Sequence, residues 1–133
     1  MIGIRITGGT ITGGVVIIED CLIDGNFAGA AHGISDERTG GGKLYISNTT
    51  VRNVGSKGIT IDPGVGSSAG QRIDATLDNV RAQNNSQFGA TFCNSARVMI
   101  NRSVFSGNTA AGIAVQALLA AGEVNISSMP AER

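Results

Sequence analysis

The stretch Lys43–Ile61, KLYISNTTVRNVGSKGITI, decides the fold. It reads Leu44-x-Ile46-x-Asn48, then Thr49-x-Val51-x-Asn53, a short Gly/Ser turn, and Gly58-Ile59-x-Ile61. Each short run alternates apolar and polar residues, the period of a strand with one buried face. Each also ends at Asn, Gly or the start of a loop, residue types that supply turns.

The frame recurs on both sides of this stretch. Upstream lie Val16-x-Ile18-x-Asp20, Cys21-x-Ile23-x-Gly25 and Gly33-Ile34. Downstream lie Leu77-x-Asn79, Val80-x-Ala82-x-Asn84 and Gly89-Ala90, then Val98-x-Ile100-x-Arg102, Ser103-x-Phe105-x-Gly107 and Gly112-Ile113. Gly3-Ile4-Arg5-Ile6 is the last third of a repeat, and Val124-x-Ile126-x-Ser128 opens a further one that stops at Met129-Pro130. Ile18, Ile46, Leu77, Ile100 and Ile126 are spaced by 28, 31, 23 and 26 residues, with all the variation falling in the loops. Fixed strands with variable loops at this period are the sign of a solenoid.

Equivalent strands one repeat apart stack in parallel, about 4.8 Å per strand, with Ile18, Ile46, Leu77 and Ile100 forming one inward column. The bend after each first strand falls at Asp20, Asn48, Asn79, Arg102 and Ser128. Asn suits it, because Asn tolerates the left-handed region and hydrogen-bonds locally. The expectation is one all-β domain over residues 1–133, a right-handed parallel β-helix of about four to five rungs.

Bulk composition agrees. The chain has 133 residues, enough for one domain with a modest core. It has 20 glycines, 4% aromatics and no Trp, so Ile, Val, Leu and Ala must fill the interior. Net charge is zero and charged residues make up only 15%, which argues against nucleic acid or an anionic membrane as partner. No apolar run approaches the ~20 residues of a membrane span. The first residues do not resemble a signal peptide, so the expectation is a cytoplasmic chain as given, or else a piece of a longer, secreted protein. The Gly-rich TGGTITGG (residues 7–14) lacks the Lys-Ser/Thr of a phosphate loop and reads as a turn.

The frame Ile-x-Asn, Cys/Thr-x-Ile/Val, then Gly-Ile-x-Ile resembles the right-handed parallel β-helix repeats of the pectate-lyase-like superfamily. Residues 72–115 are similar to bacterial right-handed parallel β-helix repeat proteins. The resemblance covers nearly the whole chain and implies the fold more than any chemistry. It implies that substrate, if there is one, lies along the outside of the Gly-Ile-x-Ile column, whose outward positions are Arg5, Ser35, Thr60, Thr91 and Ala114. Thr7, Glu37, Asp62, Cys93 and Gln116 follow just past that strand.

Asp36, Glu37 and Asp62 are therefore the candidate catalytic carboxylates. Paired acids suit a glycosidase, and the same oxygens suit Ca²⁺ weakly; no other cofactor is expected. Set against this, Asp62-Pro63-Gly64 is a common way to begin a turn. His32-Gly33-Ile34-Ser35 resembles the His-Gly-x-Ser piece of polygalacturonases, which makes His32 a candidate acid/base. The family's Asn-Thr-Asp, Asp-Asp and Arg-Ile-Lys motifs are missing. Cys21 reads as a small core residue and Cys93 as an exposed loop thiol, with no disulfide between them.

Two functions follow. The first is a non-catalytic scaffold for binding or self-assembly, with association through the solenoid ends or the apolar run Ala117–Ala121. The second is a carbohydrate-active hydrolase or lyase using Asp36, Glu37, Asp62 and His32. The scarcity of aromatics to floor a sugar groove favours the first.

Overall fold

The computed structural model describes residues 2–8, 14–25, 29–63, 72–116 and 123–127, and its described residues contain strands and no helix. The Gly-Ile-x-Ile segments form β1 (Ile2–Ile6), β4 (His32–Asp36), β6 (Ile59–Ile61), β8 (Phe88–Cys93) and β11 (Ala111–Gln116). These make one sheet, sheet A, in the order β1-β4-β6-β8-β11. The other segments form β2 (Val15–Glu19), β3 (Leu22–Asp24), β5 (Gly42–Arg52), β7 (Ile73–Gln83), β9 (Arg97–Asn101), β10 (Val104–Ser106) and β12 (Glu123–Ser127). They make sheet B, ordered β12-β9-β7-β5-β2, with β3 beside β5 and β10 beside β7.

Every pairing is parallel, and each strand pairs with its equivalent one repeat later. Ile18 faces Ile46, Ile46 faces Leu77, Leu77 faces Ile100 and Ile100 faces Ile126. In sheet A, Ile4, Ile34, Ile59, Ala90 and Ile113 align in the same way. The chain thus alternates between two parallel sheets, and the apolar columns of both share one hydrophobic cluster. Leu44, Ile46, Ile59, Ile61, Leu77 and Ile100 are almost wholly buried in it. Each contributes roughly 2 kcal/mol by leaving water.

The bends fall where the Asn pattern places them. Asp20, Asn48, Asn79 and Arg102 have φ of 54°, 48°, 54° and 48°, all in the left-handed region. Asn53 and Asn84, which end the second run, join them at 58° and 55°. Asn79 Nδ2 donates to Asn48 Oδ1 at 2.9 Å, a side-chain bond between neighbouring repeats. The fifth member of the column, Ser128, lies outside the described residues, as do Met129 and Pro130, residues 9–13 of the Gly/Thr loop and residues 64–71 of the loop after Asp62.

Arg102 is the one described member of this column that is neither Asn nor Asp, the non-glycine residues that best tolerate its left-handed φ of 48°. Its exposed guanidinium pairs with Asp78 at 2.6 Å and holds that carboxyl below its usual range. Such a surface pair is worth little. Arg102→Asn is expected to raise stability by up to about 1 kcal/mol, read as a shifted urea midpoint at unchanged slope.

Two further side-chain columns link the repeats. The N–H of Cys21 and Val80, each just after a left-handed residue, donate to Thr49 Oγ1 (3.4 Å) and Ser103 Oγ (3.0 Å) of the next repeat. Asn85 is buried, accepting from the Val54 N–H at 3.2 Å and donating from Nδ2 to Asn108 Oδ1 at 3.0 Å. Asn108 in turn donates to the Ala82 carbonyl at 3.0 Å. These side chains satisfy backbone groups that the turn between strands leaves unpaired.

The in-step glycines have a steric cause. A Cβ on Gly3, Gly33, Gly58 or Gly89 would stand 2.7, 2.6, 2.5 or 2.6 Å from the carbonyl oxygen of the next glycine in the column. Close approach of backbone to backbone, rather than unusual φ, demands glycine there.

Candidate functional site

The edge of sheet A where its strands end carries the predicted column. Glu37 N–H bonds the Ile6 carbonyl and Asp62 N–H the Asp36 carbonyl, both at 2.9 Å, so Glu37 and Asp62 occupy equivalent places on neighbouring strands. Cys93 and Gln116 continue the column and are paired in register.

The acids do not converge on one open cleft. Asp36 faces inward, in the column of Ile6, Ile61 and Phe92, and is fully buried. This differs from an outer-face cluster, and strict alternation from Ile34 is the reason: two residues on, the side chain points back to the same face. Its partner is Arg38, also buried, which donates from Nε to Oδ1 at 2.9 Å and from Nη2 to Oδ2 at 2.7 Å. Arg38 further donates to the carbonyls of Gly14 (2.8 Å) and Lys43 (3.0 Å), which flank or open the adjacent strands β2 and β5. A Cβ on Gly42 would lie 2.5 Å from Arg38 Nη1, so glycine at this position makes room for the guanidinium.

Glu37 accepts a hydrogen bond from Arg5 Nε, and Asp62 Oδ1 accepts one from Asn94 Nδ2 at 2.7 Å. All three carboxylates are thus engaged by neighbours within the chain. Cys93 is buried, against the expectation of an exposed loop thiol, because β8 extends to it. Burial, helped by the charge of Asp62, pushes its thiol pKa up, which lowers its reactivity. Cys21 is half-buried against the core, and both thiols are free.

His32 stands at the opposite end of β4 from Asp36. Four residues of strand put them about 13 Å apart, too far to share one reacting atom. Its Nδ1 is buried without a hydrogen-bond partner among the described residues. Burial and the charge of Lys57 lower its pKa from the ordinary 6.5. The sign follows: the unfolded chain binds the proton more tightly, so this histidine removes stability as pH falls below about 6.5. Urea titrations between pH 7 and pH 5 are expected to show a smaller acid loss in His32→Gln than in the parent.

The outward strip of sheet A, where the resemblance would lay a substrate, is closed in the middle. Ser35, Thr60 and Thr91 are buried as well as the core residues between them. A shallow cavity of about 260 Å³ instead lies outside sheet B, between Tyr45 and Met99 across Thr76, with Lys43, Asp74 and Arg97 beside it. The outward positions of K-x-Y, D-x-T and R-x-M were legible by alternation, but only the strand register brings them together. Asp74 and Arg97 approach to 3.9 Å there.

Among the described residues no helix is long and apolar enough to cross a membrane. The apolar run Ala117–Ala121 lies outside the described residues. At the last described strands, two residues of core columns reach the surface: Val115 is 50% exposed and Ile126 52%. Comparison with protein-family models, curated proteins and solved structures finds no match to this chain.

Proposed function

We propose that this chain is a right-handed parallel β-helix of about four to five rungs that serves as a non-catalytic scaffold for binding and self-assembly. Support for the coil comes from the regular alternation between the two sheets, the left-handed bends at Asp20, Asn48, Asn79 and Arg102, and the shared core. Support for its hand is general: crossovers between parallel strands of one sheet are right-handed in about 98% of cases. The repeat frame keeps its resemblance to the pectate-lyase-like superfamily.

The observation that carries the function is the exposure of Val115 and Ile126. Their columns are buried at every interior repeat, through Ile61 and Phe92 in one and Ile46, Leu77 and Ile100 in the other. Apolar side chains exposed on a strand of a parallel sheet offer a surface to another chain. Light scattering at micromolar concentration is expected to show oligomers, and Val115→Lys with Ile126→Lys to shift them toward monomer. A clean monomer peak for the parent overturns the self-assembly reading.

Internal partners for Asp36, Glu37 and Asp62 support the non-catalytic reading. A screen against polyuronides and other glycans tests it directly. Turnover by the parent that disappears in Asp62→Asn would establish a carbohydrate-active enzyme instead.

A further inference from the structure

We propose that the outer face of sheet B is an interface between two copies of this chain, packed face to face about a two-fold axis that runs along the strands between β5 and β7. This rests on the self-assembly reading and gives it a second contact, separate from Val115 and Ile126.

The outward residues of β2, β5, β7 and β9 stand in columns across the strands. The middle column reads Ile17, Tyr45, Thr76, Met99. Ile17 is 60% exposed, Tyr45 41% and Met99 49%, so three large apolar side chains share one strip in water. Thr76 interrupts the strip, and the gap it leaves is the cavity of about 260 Å³ between Tyr45 and Met99. Beside it runs a charged column, with Lys43, Asp74 and Arg97 in register.

A two-fold along the strands keeps their direction and reverses their order. It lays β5 of one copy on β7 of the other, and β2 on β9. Tyr45, the largest side chain of the strip, then faces Thr76 of the second copy and enters the cavity there. Its ring lies between the second copy's Tyr45 ring and Met99 sulfur, both favourable neighbours for an aromatic. Ile17 faces Met99. Stacked sheets sit about 10 Å apart, a gap that Tyr opposite Thr and Ile opposite Met both fill.

Charge agrees with shape. Lys43 faces Asp74 twice, once on each side of the axis. In the third outward column Ser47 faces Asp78 and Glu19 faces Asn101, a donor against a carboxylate each time. Other axes do worse. An axis on β5 sets Lys43 against its own copy, and one on β7 sets Asp74 against its own copy and Lys43 against Arg97. An axis between β7 and β9 pairs Asp74 with Arg97, but it puts Tyr45 on Asn125 and leaves Ile17 outside the contact. An axis across the strands, along the middle column, opposes Asp74 to Asp78.

The face is four strands wide and five residues long, about 19 by 17 Å. That is at the low end for protein interfaces, so the expected dimer is of micromolar or weaker affinity.

Tyr45 is the one tyrosine and the chain has no Trp, so tyrosine fluorescence reads this face alone. Acrylamide quenching of that emission is expected to fall about threefold as the chain is raised from about 1 to about 500 µM. Thr76→Lys, which puts a charge in the cavity, is expected to keep the ring open to quencher over the whole range without moving the urea midpoint. Lys43→Asp and Asp74→Lys are each expected to do the same. The two together are expected to restore the protection, which the axis between β7 and β9 does not allow. Oligomers in which Tyr45 stays as open as in the dilute chain, protection that survives Thr76→Lys, or a double swap without rescue each overturn this interface while leaving self-assembly in place. A chain that is monomeric up to about 500 µM overturns both.

Discussion

Arg38→Met is expected to destabilise the protein by about 3–5 kcal/mol, the usual cost of leaving a buried charge without its partner. For a chain of this size that is a fall of roughly 10–18 °C in melting temperature, measurable by circular dichroism. Three losses combine. Asp36 would keep a carboxylate in a fully buried place between Ile6 and Ile61. The carbonyls of Gly14 and Lys43 would lose their donor. The bidentate contact at 2.9 and 2.7 Å would disappear with them.

The column itself suggests the rescue. Ile occupies the Asp36 position in the strands on both sides, so Asp36→Ile restores the apolar ladder. Combined with Arg38→Met it is expected to recover most of the loss, since a buried ion pair replaced as a whole by apolar residues is often neutral or stabilising. If Arg38→Met and the double substitution unfold at the same temperature, the ion pair is not what holds this corner.

Gly58→Ala is the second large effect, expected to cost about 2–4 kcal/mol by overpacking and by loss of a buried hydrogen bond. The added Cβ would stand 2.5 Å from the Gly89 carbonyl oxygen and 2.7 Å from Asn85 Nδ2. The carbonyl belongs to the neighbouring strand and cannot swing away. Asn85 can move only by giving up its bond to Asn108 Oδ1. Gly29→Ala is the control: Gly29 has φ of 77° but open space around it, so only the left-handed penalty of about 1–2 kcal/mol applies. Equal losses at the two glycines, in denaturant midpoints, would remove the steric account of the glycine column.

These substitutions bear on function through the same physics. The interior columns join each repeat to the next, whereas Val115 and Ile126, on the last described strands, are about half exposed. Each of the three candidate acids is bonded within the chain: Asp36 to Arg38, Glu37 to Arg5, and Asp62 to Asn94.

By itself the sequence determined the strands, their parallel one-repeat pairing, the inward columns and the bends at Asp20, Asn48, Asn79 and Arg102. These are local or periodic properties: alternation sets the face, and the left-handed bend selects Asn. It also held the sign that Asp36 points inward, two residues after Ile34, but a charge at a core position has no meaning until its partner is placed. Only the tertiary structure supplied Arg38 for that charge. The same placement of one repeat on another brought Asn85 to Asn108 and closed the Ser35, Thr60 and Thr91 strip. It also separated His32 from the acids by the length of a strand. Those facts depend on how loops of unequal length lay residues from different repeats against each other, and no period in the chain encodes that.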